Sequence, residues 1–110
     1  MTGVRFLTDS KGLCGFEISG HATDSCEDSE GKIVCAAVSS AAYMAVNTIT
    51  EIVGDNADVK VTDAKMYLLV KDASGATRTV LQGFKLHLEQ LSNQYGDNIK
   101  IFGGVNRVKD

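Results

Sequence analysis

The chain has 110 residues, a formal net charge of −3 and a hydrophobic fraction of 44%. This length is typical of one domain, so we expect a single domain over residues 1–110 without a separate regulatory module. The slight negative charge argues against a broad phosphate-binding surface for nucleic acid, and it favours a basic partner segment instead.

The first third of the sequence predicts a β-hairpin and then a polar loop. Residues 4–7 suit a strand, and residues 14–18 alternate between apolar and polar side chains as a half-buried second strand does. Turn-forming residues at 9–12 connect the two strands. Residues 20–31 carry Asp24, Glu27, Asp28 and Glu30 with almost no apolar side chain, so we expect a solvated acidic loop there.

A long apolar segment follows the loop. Residues 33–53 are rich in alanine, apolar on nearly every face and too numerous for a strand, which predicts a buried helix that ends at Gly54. Residues 59–61 alternate and residues 66–70 form a short apolar run, so these two segments predict a second hairpin.

The last third predicts a second helix and a final strand. Apolar side chains recur every three or four positions over residues 80–95, and residues 99–101 alternate ahead of a polar tail at 106–110. The resulting order is β-β-α-β-β-α-β with tight connections within each strand pair. We therefore predict a two-layer α/β (α+β) sandwich, in which a mainly antiparallel sheet of about five strands has both helices packed on one face.

The cysteine count, the apolar pattern and the chain length predict the cellular compartment and the oligomeric state. Cys14, Cys26 and Cys35 form no CxxC pair, and an odd number of cysteines fits a reducing compartment better than a disulfide framework. The sequence is interpreted as having no signal-peptide pattern and no apolar run long enough to cross a membrane. We predict a cytoplasmic protein and, because so short a chain buries only a modest core, a homodimer.

Three features converge on one candidate site: a histidine after the second strand, the acidic loop, and Cys35 at the start of the first predicted helix. Near a helix N-terminus, unpaired backbone N–H groups and the helix dipole favour a thiolate and can also stabilise an oxyanion. His21 would stabilise that thiolate as an imidazolium and then protonate a leaving amine. Ser39, one turn after Cys35, is placed to orient the sulfur or an oxyanion.

Each residue also has a purely structural interpretation. A cysteine in a helix rich in alanine and valine is more often a core residue than a nucleophile, and a single histidine after a strand is often structural. His87, on the second predicted helix, has no acidic or cysteine motif beside it and is interpreted as structural. With only two histidines and no paired ligand spacing, we expect no zinc site.

The residues around Cys35 resemble the hallmark of the ribosomal-processing cysteine protease (Prp) family. The matching segments are Gly20-His21-Ala22, then Ile33-Val34-Cys35-Ala36-Ala37-Val38, and Ser39 four residues after the cysteine. The resemblance extends to the order of strands and helices along nearly the whole chain. It implies a homodimeric protease of α/β sandwich fold, with Cys35 as the nucleophile, His21 as the general base, and neither a metal nor an organic cofactor.

The resemblance also implies a substrate. Members of this family remove the N-terminal extension from the twenty-seventh protein of the large ribosomal subunit, so the expected partner is the N-terminal segment of that protein. Two features depart from the family pattern: the family's aspartate before Ile-Val-Cys is either replaced by Lys32 or deleted, and the loop before Cys35 is longer and contains Cys26. A non-catalytic ribosome-associated or assembly-binding protein of the same fold is the alternative.

The two other cysteines have different expected roles. Cys14 lies on the same alternating set as Phe16, so we expect it in the core. Cys26 lies among carboxylates that disfavour a thiolate, so it is interpreted first as an incidental thiol. The alternative is that Cys26 forms a disulfide with Cys35 and switches the enzyme off.

Overall fold

The computed structural model describes residues 1–20 and 29–102, and the backbone of residues 106–107. In chain order they form β1 (Thr2–Asp9), β2 (Gly12–Ser19), α1 (Ser29–Asn47), a π-helix (Thr48–Val53), β3 (Asp58–Val61), β4 (Lys65–Leu69), α2 (Gly75–Gln94), β5 (Ile99–Ile101) and β6 (Asn106–Arg107). The predicted order β-β-α-β-β-α-β is confirmed. The structure adds the π-helix that continues α1, and it adds β6 in the segment predicted as a polar tail.

The strands form one mixed sheet in the order β3-β4-β2-β1-β5, and β6 also pairs with β1. The pairs β1–β2, β2–β4 and β3–β4 are antiparallel, whereas β5 and β6 run parallel to β1. Parallel pairing of β5 is possible because α2 provides the long crossover that a parallel strand needs. The mainly antiparallel sheet is therefore confirmed.

The main hydrophobic core lies between one face of the sheet and the helices. Phe6, Phe16 and Phe84 form an aromatic cluster with ring centroids 4.7, 5.9 and 6.4 Å apart. The other large side chains of this core are mostly aliphatic and come from both layers: Val4, Ile18, Val34, Val38, Ile49, Met66, Leu68, Leu81, Leu88 and Ile99. Both helices thus pack on one face of the sheet, as predicted.

Cys14 is buried, as predicted, but it does not join the cluster that contains Phe16. The pairing of β1 with β2 shifts between Leu7 and Thr8, which is a β-bulge. An extra residue in one strand changes which side chains share a face. Cys14 therefore packs with Leu7 and Leu69 in a second, smaller cluster.

The first helix begins earlier than predicted and ends where predicted. It begins at Ser29, inside the segment predicted as loop, and its π-helical continuation ends at Val53. Gly54 then takes a left-handed conformation with φ of 83°, and its N–H donates to the carbonyl oxygen of Ile49 at 3.0 Å. Glycine adopts this conformation at low cost, which explains the helix end.

By length and composition alone, the helical segment Ser29–Val53 is long and apolar enough to cross a membrane. The prediction that the sequence holds no such segment is therefore wrong on this criterion. Side chains including Val34, Val38 and Ile49 use one side of the segment to build the core against the sheet. An apolar core helix has this composition too.

Asp55 joins the end of the π-helix to the start of α2. Its Oδ2 accepts hydrogen bonds from the Thr77 hydroxyl at 2.6 Å, the Ser74 N–H at 2.9 Å and the Ser74 hydroxyl at 2.8 Å. Ser74 is the N-cap of α2, and its hydroxyl oxygen accepts the N–H of Thr77. These donors, the Thr77 hydroxyl first, hold the pKa of Asp55 below its usual value.

Asp55→Asn is expected to lower the free energy of unfolding near neutral pH by about 1–2 kcal/mol, because hydrogen bonds to a charged and partly exposed acceptor are weakened. The folded-state pKa of Asp55 is depressed, so its stabilising contribution is complete above the unfolded pKa of about 4 and is lost as the pH falls through the folded value. The variant should therefore lose less stability on acidification than the wild type does. Urea titrations near pH 7 and near pH 3 measure both effects. Equal losses in Asp55→Asn and in the exposed control Asp63→Asn would contradict this role.

An ion pair between Arg78 and Asp9 connects α2 to the first hairpin. Arg78 donates to both carboxylate oxygens of Asp9, at 2.8 and 3.0 Å, and to the carbonyl oxygen of Leu13 at 3.0 Å. The hydrogen bonds from Arg78 hold the pKa of Asp9 below its usual value. A bidentate pair of this kind fixes geometry as well as charge, so it orients α2 over the turn between β1 and β2.

Candidate active site

Cys35 lies deeper in α1 than predicted. Because the helix begins at Ser29, Cys35 is in the second helical turn, and only 1% of it is exposed. The influence of the helix dipole is concentrated in the first turn, and only the first four N–H groups lack acceptors within the helix. The helix start therefore does not support the predicted oxyanion donors around Cys35.

Two polar groups from the sheet lie beside the Cys35 sulfur. Its Sγ is 3.2 Å from Oγ1 of Thr2 and 3.4 Å from the carbonyl oxygen of Gly20. The Thr2 Oγ1 also lies 3.5 Å from that same carbonyl oxygen. The sulfur is thus positioned where the start of β1 meets the residue that follows β2. The sequence analysis missed Thr2, although it shares the inward period-2 set with Val4 and Phe6.

Gly20 fixes the direction in which the chain leaves β2. It has a φ of 74°, and a Cβ at this position would clash with the carbonyl oxygen of Met1. Its N–H donates to the carbonyl oxygen of Ala64 at 2.9 Å. The position therefore requires glycine for its conformation and for its close backbone approach. The carbonyl group that contacts Cys35 thus belongs to the residue immediately before His21.

Of the remaining predicted site residues, the structure describes Ser39 and Lys32. His21 and Cys26 lie outside the described residues, so the pairing of either one with Cys35 stays a prediction. Ser39 is half-buried one turn after Cys35 on α1, and its predicted action on the sulfur also stays a prediction. Lys32 is exposed in the first turn of α1.

The oxidation state of Cys35 matters for its chemistry. Cys35 is disulfide-bonded in this structure, whereas Cys14 is buried and is not part of a disulfide. A disulfide sulfur carries no hydrogen and can only accept, so in this form the Thr2 hydroxyl has two possible acceptors, the Cys35 sulfur and the Gly20 carbonyl oxygen. A sulfur held in a disulfide does not act as a nucleophile, because the thiolate is the reactive form of a cysteine.

A groove of about 680 Å³ lies between α1 and α2. It reaches from Ala37, two residues after Cys35, to Thr48 on the π-helix and His87 on α2. His87 thus borders this groove on the surface of the helical layer. Within residues 1–20 and 29–102, no cluster of three or more histidine, cysteine or acidic side chains is arranged to hold a metal ion.

The fold and the position of the cysteine define a class of small two-layer α/β proteins with a cysteine on the first helix, beside the end of an antiparallel hairpin. The family model for the cysteine protease Prp matches residues 1–100. The chain therefore belongs to the cysteine protease Prp family. The resemblance drawn from the Gly-His-Ala and Ile-Val-Cys-Ala segments is confirmed.

Solved structures share this fold at low sequence identity. The essential ribosomal processing protease Prp from S. aureus with a substrate peptide has a TM-score of 0.84 and 20% identity, covering 98% of this chain and 100% of that chain. The same protease with a covalently linked product peptide has a TM-score of 0.76 and 22% identity, with 98% and 100% covered. SMU.848 from Streptococcus mutans has a TM-score of 0.82 and 17% identity, with 100% and 99% covered. No curated protein matches the sequence.

Proposed function

We propose that the protein is a cysteine endopeptidase that removes the N-terminal extension of the twenty-seventh protein of the large ribosomal subunit during bacterial ribosome maturation. Membership of the cysteine protease Prp family, with the Cys35 sulfur 3.4 Å from the residue that precedes His21, carries this proposal. The S. aureus relative, a ribosomal processing protease with a substrate peptide, supports a peptide substrate. The slight negative charge of the chain fits a basic partner segment.

In the proposed reaction, Cys35 is the nucleophile and His21 is the general base. The imidazole accepts the thiol proton, and the sulfur attacks the scissile carbonyl carbon. The imidazolium then donates its proton to the leaving amine as the C–N bond breaks, which leaves a thioester on Cys35. Water deprotonated by the neutral imidazole hydrolyses the thioester and restores the thiol. Ser39 supports the step by orienting the sulfur or the oxyanion, and the chemistry uses no metal or organic cofactor.

A peptide spanning the extension junction tests the substrate. Incubation with the reduced protein is expected to yield two fragments from a single cleavage, identified by mass spectrometry. A matched peptide in which the residues around the junction are scrambled serves as the control. The reaction of Cys35 with iodoacetamide shows that its thiol is available. If such protein leaves the junction peptide intact, the proposed substrate is contradicted.

The burial of Cys35 favours a second candidate, a non-catalytic ribosome-associated or assembly-binding protein of the same fold. A cysteine that is 1% exposed does not meet a peptide without a local rearrangement, and Lys32 stands where the family resemblance implies a carboxylate. For such a protein, Cys35→Ala leaves partner binding and cell growth unchanged. Slow alkylation of the reduced Cys35 at neutral pH favours this candidate, and fast alkylation favours the peptidase.

We expect activity to depend on a thiol reductant because Cys35 is disulfide-bonded in the structure. Hydrogen peroxide would convert two thiols into one disulfide and two water molecules, and excess dithiothreitol would reverse this by thiol–disulfide exchange. Peroxide should therefore inactivate the wild type reversibly. In Cys26→Ser, the proposed partner is absent and peroxide should oxidise Cys35 beyond recovery. Unchanged and fully reversible inactivation of Cys26→Ser would contradict the Cys26 pairing, and Cys14→Ala should behave like the wild type.

We also propose a homodimer. Large apolar side chains are exposed on the outer side of the first helical segment, including Ile33 at 63%, Met44 at 68% and Ile52 at 80%. Apolar patches of this kind commonly become buried in self-association. Light scattering of the purified protein should give twice the chain mass, and Met44→Asp should weaken association at least about tenfold. A monomeric wild type at tens of micromolar would contradict the proposal.

A further inference from the structure

We propose that Thr2 is a positioning residue whose hydroxyl group holds the Cys35 sulfur in its anionic form. This inference rests on the proposed function, for which it names an additional residue. Thr2 Oγ1 lies 3.2 Å from Sγ of Cys35, and Thr2 is completely buried.

The backbone holds the Thr2 side chain in a fixed direction. Thr2 is the first residue of β1, and its N–H donates to the carbonyl oxygen of Asn98 at 2.9 Å. Its Cα is paired with Ile99 of β5. Thr2 is β-branched, which restricts its χ1 angle. The sheet therefore fixes the direction of the Thr2 Cα–Cβ bond, and the restricted χ1 angle favours the rotamer that places the hydroxyl beside Cys35.

The Thr2 hydroxyl is a polar group in an otherwise apolar, buried row of β1, so its hydrogen-bond partners must be identified. The side chains on the same inward set of β1, Val4 and Phe6, are apolar core residues. A buried hydroxyl costs free energy unless it is hydrogen-bonded. Among the described residues, the buried polar side chains are Thr2 and Thr77, and Thr77 donates to Asp55. The corresponding partners of Thr2 are the Cys35 sulfur and the Gly20 carbonyl oxygen.

The geometry lets the hydroxyl respond to the protonation state of the sulfur. When Cys35 is a thiol, its S–H can donate to the carbonyl oxygen of Gly20, 3.4 Å away. When Cys35 is a thiolate, the same carbonyl dipole is unfavourable because its negative end faces a negative sulfur. The Thr2 hydroxyl can then rotate to donate to the sulfur, and hydrogen bonds to a charged acceptor are stronger than neutral ones. Thr2 thus offsets the effect of Gly20 and favours the thiolate.

The pH dependence of Cys35 alkylation measures this role without requiring any proteolysis. In reduced protein, the iodoacetamide rate at Cys35, mapped by mass spectrometry, rises with the fraction of thiolate. Thr2→Val removes the hydroxyl at almost constant volume and is expected to move the midpoint of this profile up by about one pH unit. Thr2→Ser keeps the hydroxyl and should restore the wild-type midpoint. His21 and Lys32 are present in all of these proteins, so the difference isolates the hydroxyl.

Thr77→Val is the matched control, because it also removes a buried threonine hydroxyl but lies at the start of α2. It should lower stability without moving the alkylation midpoint. If Thr2→Val does not fold, Thr2→Ala serves as the second hydroxyl-free variant. An unchanged midpoint in a folded hydroxyl-free variant, or an equal shift in Thr77→Val, would overturn the proposal. If the midpoint shifts but the wild type cleaves no junction peptide, then the proposed substrate fails and the role of Thr2 stands.

Discussion

Replacing Cys35 by alanine is expected to reduce cleavage of the junction peptide by at least about a thousandfold, because the thioester cannot form without the sulfur. The variant should remain folded. Removing one buried sulfur beside Thr2 leaves a small void that costs on the order of 1 kcal/mol. The rate of fragment formation, followed by chromatography, and the urea midpoint together separate loss of chemistry from loss of fold.

Cys14→Ala is the matched control for this experiment. Cys14 is also a buried cysteine, but it packs with Leu7 and Leu69 in a cluster separate from the main core. Its removal should cost similar stability and leave the cleavage rate near that of the wild type. Persistent cleavage by Cys35→Ala would remove the proposed mechanism. An equal loss of activity in both variants would indicate that stability, rather than the Cys35 thiol, determines the result.

Gly20→Ala is expected to have the second-largest effect, lowering both stability and activity. A non-glycine residue at φ of 74° is strained, and its Cβ would clash with the carbonyl oxygen of Met1. We expect a loss of about 2–3 kcal/mol in the free energy of unfolding. Because Gly20 O contacts the Cys35 sulfur and Gly20 precedes His21, relief of the clash should also displace the site and reduce the cleavage rate at least about tenfold.

Gly75→Ala is the control for the glycine experiment. Gly75 is the first residue of α2, and an added Cβ there would meet no atom within 4 Å. Alanine has the higher helix propensity, so this change should be neutral or stabilising by up to about 1 kcal/mol. Urea unfolding and junction-peptide cleavage of both variants provide the test. Wild-type stability of Gly20→Ala would contradict the assigned backbone constraint.

Periodicity was sufficient to predict most of the fold. The alternation in β2 and the three-to-four spacing in α2 both arise because each element buries one side. Residues such as Phe16 and Phe84 recur on that side, so the pattern predicted the strand, the helix and the packing of one on the other. Gly54 marked the end of the first helical segment because a left-handed residue commonly follows a helix. These signals are local, and the structure confirms them.

Features that depend on distant pairing could not be predicted in this way. The bulge between Leu7 and Thr8 moves Cys14 to a different cluster, and alternation alone carries no information about it. The short strand β6 pairs with β1 across the whole length of the chain. The first helix includes Ser29, which lies in a polar segment. This segment has too few apolar side chains to show a helical periodicity, so the helix start was not predicted there.

The candidate site shows the same division. Cys35 and the Gly20 segment were found from a motif, because they lie in two short stretches of sequence. Thr2 was missed because its importance comes from the pairing of β1 with β2, which brings Gly3 opposite Ser19 and sets Thr2 beside Gly20. A threonine on the inward set of an apolar strand was the only local signal of this role.

The central claim, that an imidazole keeps the Cys35 sulfur reactive, is tested most directly by alkylation of reduced protein at neutral pH. The iodoacetamide rate at Cys35 is measured in the wild type and in His21→Ala, with unfolded protein as the reference thiol. We predict that the wild type reacts at least about tenfold faster than His21→Ala, because the variant lacks the His21 imidazole that is proposed to stabilise the thiolate and keeps only His87, on α2. Equal rates in the two folded proteins, at or below that of the reference thiol, would contradict it.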